Sequence, residues 1–252
     1  MGMETGGRTI RGGLRGARGI CLMELLCALG IGMVVIAWSF EAVSRLEARF
    51  RIQQRDMARM QDARIGLAVW EQDIRAMVNE NGMAWASLGR ATESEVAFQA
   101  NVNSMATSLI AAAAAGETVL AVRDGSGWPE GKRVRLCHSS GCVERRLART
   151  GQQSRLVLTL PLEDTIPAGT EILVINDVRY YVVEGQAGHF KLMRQVDGGS
   201  NTLIGDLEGA RFHYRTREGQ LTEDPRLIAS VGIDLAISGM RHPLSQLVAI
   251  RV

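Results

Sequence analysis

Residues 20–40, ICLMELLCALGIGMVVIAWSF, form an apolar run of 21 residues interrupted by one charge, Glu24. At 1.5 Å per residue a helix of that length spans roughly 30 Å, the thickness of a bilayer's hydrocarbon core. The preceding segment, residues 1–19, holds Arg8, Arg11, Arg15 and Arg18, seven glycines and one acid, Glu4. It has no apolar period and predicts no folded element. Four arginines ahead of the run place the N-terminus on the cytoplasmic side and everything past Phe40 across the membrane. Two ordinary readings fit poorly. A secretory signal peptide has a shorter apolar region of about 7–15 residues, and Ala42-Val43-Ser44 is a weak cleavage site. A plain single-pass anchor leaves Glu24 unexplained, since a carboxylate in the bilayer costs several kcal/mol unless partnered.

The nine residues Arg18-Gly19-Ile20-Cys21-Leu22-Met23-Glu24-Leu25-Leu26 combine a basic leader ending in Gly, an apolar run, and Glu at the fifth place after that Gly. This stretch resembles the class III signal of the type IV prepilin and pseudopilin family. The resemblance implies an α+β fold, with a long N-terminal helix packed on an antiparallel, β-rich periplasmic head. It implies that a prepilin peptidase cuts between Gly19 and Ile20, removing leader 1–19, and methylates Ile20. It also implies that Glu24 neutralises the N-terminal amine of a neighbouring subunit during assembly. Ile20 stands where Phe or Met is usual, Cys21 where Thr is usual, and the leader is long, which makes Met3 a second candidate start.

The physics of Glu24 agrees with that role. Cleavage would place a positive amine at Ile20, four residues before Glu24 on the same helix face. A carboxylate near a helix N-terminus is also favoured by the macrodipole. Two charges that satisfy each other only when subunits dock in register set that register. The plainer alternative is that Glu24 pairs with its own terminus.

Beyond Phe40, apolar residues Val43, Leu46, Phe50, Met57, Met60, Leu67 and Ile74 fall on a three-four alternation whose remaining positions are Gln53, Arg64 and Glu71, with charged residues between them. No proline, and only Gly66, falls between Phe40 and Met77. The pattern predicts one helix over 20–78, on the order of 85 Å long, with a transmembrane part at 20–40 and an amphipathic part after it. Gln53, Arg64 and Glu71 intrude on the stripe and disfavour a free coiled coil, so the second half is expected to pack on the head. Its last turns, with Asp73-Ile74-Arg75, loosely resemble the helix end of PilW-type minor pilins and of J-type pseudopilins of type II secretion.

From Val96 the chain reads as β. About ten short strands rich in Val, Leu, Ile and Tyr are separated by turn signals such as Asp124-Gly125 and Asp197-Gly198-Gly199. Close spacing favours antiparallel hairpins. The head is expected at 79–252, with an inserted β module near 116–176. Ala111–Ala115 reads as a short helix or a connector.

Cys137 and Cys142 enclose His-Ser-Ser-Gly between two strands. A disulfide, free thiols and a metal site remain alternatives, the first being favoured in an oxidising compartment. The chain is nearly neutral, with 29 Lys+Arg against 27 Asp+Glu. Residues 123–155 nonetheless hold eight cations, among them Arg133, Arg135, Arg145, Arg146 and Arg149, against three acids. Such a ribbon suits DNA, lipid headgroups or an acidic subunit, or simply faces water. Trp128 alone interleaves it, so a stacking platform for single strands is not supported. No nucleophile elbow, phosphate loop, metal-binding motif or acid–base constellation is present, so no enzymatic activity, cofactor or metal is expected.

The resemblance implies a minor pilin of a type IV pilus, incorporated near the tip to prime or support assembly, with other pilins, the peptidase and the bacterial inner membrane as partners. The alternatives are a minor J-type pseudopilin of a type II secretion system, and an adhesive or DNA-binding module presented on the fibre.

Overall fold

The computed structural model describes residues 22–77, 88–138, 141–185, 188–240 and 242–250. It contains one helix, α1 (Leu22–Arg75), followed by twelve strands. The chain divides into two compact units inside α1, between Gln54 and Arg55.

In the first unit the helix presents its apolar residues to the outside. Leu22, Met23, Leu25, Trp38 and Phe40 are all more than half exposed. This segment is long and apolar enough to cross a membrane. Arg45 and Arg51 pair with Glu41 and Glu47, each four residues earlier. Such pairs support the helix only by a few tenths of a kcal/mol each.

The second unit begins with the rest of α1. Ala63, Gly66, Leu67, Trp70, Asp73 and Ile74 are buried, at spacings of three and four, and form the stripe that meets the sheet. The seam therefore runs through Ala63, Gly66 and Trp70 as well as the expected Leu67 and Ile74, while Met57 is 70% exposed. Small residues set this path. A Cβ on Gly66 would stand 2.3 Å from Ile204 Cγ1, so only glycine lets the strand side chain enter the groove of the helix. The helix stops at Arg75, whose charge suits the C-terminal end of the dipole. Met77 then folds back to bond the Ile74 carbonyl.

The main sheet is antiparallel throughout. Its order is β1 (Leu88–Thr92), β2 (Glu95–Ala100), β8 (Glu171–Glu184), β9 (Phe190–Val196), β10 (Gly199–Arg215), β11 (Ser230–Ile237), β12 (Leu244–Ala249). Strand alternation sends Val178, Tyr180, Leu192, Phe212, Val231, Ile233 and Leu235 into one core with the helix stripe. The turn between β9 and β10 is Asp197-Gly198, both with positive φ (49° and 92°). That is the backbone twist a two-residue hairpin needs, and Asp-Gly supplies it cheaply.

A second core lies in the inserted module, which spans Met105–Ile175. It contains β3 (Ala106–Ser108), β4 (Val119–Ala121), β5 (Arg133–His138), β6 (Gly141–Arg146) and β7 (Arg155–Val157). β3 and β5 flank the first half of β8, β6 pairs with β5, and β4 pairs with β7. Leu109, Leu120, Trp128, Leu136, Leu156, Ile166 and Val174 fill its interior. β8 joins the two cores. Ile172 and Val174 point into the module, Val178 and Tyr180 into the main core, and the alternation runs unbroken through fully buried Asn176. Asn176-Asp177 between two apolar runs reads locally as a turn, yet β8 is a single strand. Ala111–Ala115 is extended, tied by a bridge from Ala113 to Ile166.

Candidate functional site

Gly19, Ile20 and Cys21 lie outside the described residues. Glu24 sits in the first turn of α1, surrounded along the helix by exposed Leu22, Met23, Leu25 and Leu26. Among the described residues its carboxylate has no hydrogen-bond or ion-pair partner. An apolar helix surface with one unpaired carboxylate near its start is chemically suited to a neighbour that brings lipid-like side chains and a cation. Cys27, a few residues on, is an exposed free thiol.

Three polar contacts fasten the other end of the helix to the sheet. The strongest is buried. Asp73, 2% exposed, accepts a hydrogen bond from the Tyr180 hydroxyl at 2.6 Å. It also accepts two from Arg194, Nε at 2.7 Å and Nη2 at 3.1 Å. Arg194 Nε lies 3.2 Å from the Tyr180 oxygen as well, closing a triangle. Burial is the first cause that pushes the Tyr180 hydroxyl above its ordinary range, with the Asp73 charge adding to it. The Asp73 hydrogen bond holds the Arg194 guanidinium more firmly charged than usual. The second contact joins Arg59 to Asp206 at 2.5 Å. Asp206 has φ 59° and sits where β10 slips register against β9, and this bulge turns its carboxylate toward the helix. The third is the Gln246 amide of β12, which donates to Glu71 at 2.5 Å.

Asp73 was visible in the sequence as part of Asp-Ile-Arg on the helix face. Tyr180 and Arg194 were not, because nothing local distinguishes them from any strand Tyr and Arg. Only the register Tyr180↔Arg194 across β8 and β9 brings them together.

In the module, Cys137 and Cys142 face each other across the β5–β6 hairpin and are bonded as a disulfide, with Cα atoms 4.1 Å apart. The five arginines named above have different surroundings. Arg133 pairs with Asp177, Arg135 with Glu144, and Arg145 with Glu163 at 2.8 Å. Arg146 donates to the Gly131 carbonyl at 3.3 Å. Arg149 has no side-chain partner among the described residues. Lys132 and Asn176 both donate to Asp197, linking module to main sheet. Burial works against the Asp197 charge, but these donors outweigh it and keep the carboxyl below its ordinary value.

A groove of about 730 Å³ opens on the outer face of the main sheet, between the β1–β2 turn, β10 and residues 221–223. The His213 imidazole lies flat over its cross-strand partner Gly232, where a Cβ would stand 2.0 Å from Nε2. This brings Nδ1 within 3.4 Å of Asp234 Oδ2. Glu93, which also lines the groove, pairs with Arg211. No group of three His, Cys, Asp or Glu side chains able to hold a metal occurs among the described residues.

No family model, curated protein or solved structure matches the chain.

Proposed function

We propose that this chain is a minor pilin of a type IV pilus, made as a membrane precursor, cut after Gly19, N-methylated at Ile20 and built into the fibre by its N-terminal helix. Its work is assembly, near the fibre tip, and not chemistry. The observation that carries the reading is the continuity of α1. One uninterrupted helix starts with exposed apolar surface around Glu24 and ends with a buried stripe fastened to an antiparallel sheet. That supports a subunit whose first half is left for neighbours and whose second half belongs to its own head. The leader Arg18-Gly19 and the offset of Glu24 support the cleavage.

Mass spectrometry of the protein from cells with an active prepilin peptidase tests this. The mature chain is expected to begin at N-methylated Ile20. An intact leader in such cells overturns the reading.

A further inference from the structure

One face of the inserted module combines exposed aliphatic side chains with a cationic edge. Leu109 bridges Val122, Leu147 bridges Leu158, and β4 pairs with β7 through Val119–Val157, Leu120–Leu156 and Ala121–Arg155. Leu109, Leu120, Val122, Leu147, Leu156 and Leu158 are buried. Alternation therefore turns the intervening positions outward. The centre of this outward face is aliphatic. Ile110 is 60% exposed and Val119 49%, with Val157 opposite Val119. Leu160, 64% exposed, lies in the bend that follows β7.

Its edge is cationic. Arg155 stands opposite Ala121, and Arg123 is the next outward position along from Ala121. Both are exposed, as is Arg149 in the following loop. Among the described residues none of these three has a carboxylate partner. The neighbouring acid Asp124 accepts from the Ser126 amide instead, and Glu117 lies at the far end of β4. Elsewhere in the module Arg133, Arg135 and Arg145 each have a carboxylate, and Arg146 donates to the Gly131 carbonyl. Two like charges at diagonal positions of a sheet repel unless an anion comes between them.

We propose that this face docks on an anionic lipid surface. The aliphatic centre gains by leaving water. Arginines at its edge bury their stems and present guanidinium groups to phosphate. The chain carries a helix long and apolar enough to span a bilayer, so a lipid surface is its standing neighbour. Duplex DNA fits less well, because branched aliphatic side chains would be pressed against hydrated phosphates. The inference rests on the helix and the face, and is independent of the pilin reading.

The test uses the full chain held in phosphatidylcholine nanodiscs, mixed with vesicles of phosphatidylcholine alone or with an equal part of phosphatidylglycerol, and read by flotation. The protein is expected to float with the anionic vesicles only, less so as salt rises. Arg123→Gln with Arg155→Gln is expected to weaken partition about thirtyfold, and Val119→Gln to weaken it further. All three sites are on the surface, and unchanged thermal unfolding checks that the variants fold. Flotation with neither vesicle, equal flotation with both, or no effect of the double substitution overturns the proposal. Capture of a fluorescent DNA duplex at lower protein concentration than the vesicles overturns it in favour of nucleic acid. An uncut leader would leave this result untouched, so the two readings fail separately.

Discussion

The carboxylate of Asp73 takes two hydrogen bonds from the guanidinium of Arg194, at 2.7 and 3.1 Å, inside the seam between α1 and the sheet. With 3% of the Asp73 side chain accessible, removing either partner strands a buried charge. Arg194→Leu or Asp73→Ala is expected to cost about 3–5 kcal/mol in urea unfolding. Replacing both partners by Leu together with Tyr180→Phe, which leaves no buried hydroxyl stranded, is expected to recover a large part of that loss, because well-packed apolar side chains need no desolvation of ions. Tyr180→Phe alone removes one bond to the charged carboxylate and leaves the Arg194 pair in place, so it should cost less, about 1.5–3 kcal/mol.

Gly66 makes a different demand on the same seam. Its missing side chain is filled by Ile204, and a methyl there would come within 2.3 and 2.7 Å of Ile204 carbons. Although alanine is the better helix former by about 1 kcal/mol, Gly66→Ala is expected to destabilise the head by about 1–3 kcal/mol through overpacking. Combining it with Ile204→Ala should relieve the clash. A double-mutant cycle that gives strictly additive losses contradicts the contact.

The helix, its end near Arg75, and the β character of the head could be read from periodicity because each is a local pattern bounded by turn residues. The rest failed for physical reasons. Asn176 and Asp177 look like a turn between two strands, yet Asn176 is buried and keeps the alternation intact, its amide held by Asp197. That acceptor lies 21 residues on and leaves no local trace. β1 was invisible because Leu88-Gly89-Arg90-Ala91-Thr92 carries little β propensity; it forms because β2 offers it a register. Of the fastening residues, Asp73 was legible as a charge on an apolar stripe, whereas its partners depend on strand pairing alone.

Acid should loosen the head at the β1–β2 hairpin. The hydrogen bonds of Arg179 to Glu95, at 2.8 and 2.9 Å, are the first cause that holds the Glu95 carboxyl below its ordinary 4.5, and Arg90 contributes. A carboxyl depressed on folding stabilises above its unfolded value and loses that stabilisation as pH falls through its folded value. The urea midpoint should thus hold steady above pH 4.5 and decline below it, with a shallower decline in Glu95→Gln. An identical acid profile in that variant would remove Glu95 from the account.

Reduction of Cys137–Cys142 should matter modestly. The bond closes a short hairpin whose register is already set by the β5–β6 pairs. Chain entropy for so small a ring gives about 2 kcal/mol. Paired serines at both positions are expected to lower the unfolding free energy by that amount and leave the main sheet's amide protection unchanged. A global collapse of protection would mean that the module supports the sheet across Asn176.

Glu24 bears on the assembly reading most directly. The carboxylate stands among exposed apolar side chains with no partner among the described residues, and in lipid such a charge is costly by several kcal/mol. A cation offered by a neighbour in register removes that cost, and the amine that cleavage after Gly19 would create is such a cation. Glu24→Gln keeps the length and polarity of the side chain but not its charge. The variant is expected to be cut and methylated like the parent, to fold its head with unchanged stability, and to be lost from sheared filaments. On the proposed reading processing precedes assembly, so the mature N-terminus and the filament content are read from the same cells. A processed variant that enters filaments as well as the parent would show that the charge does not set register, and would leave the apolar helix surface alone to hold the subunit.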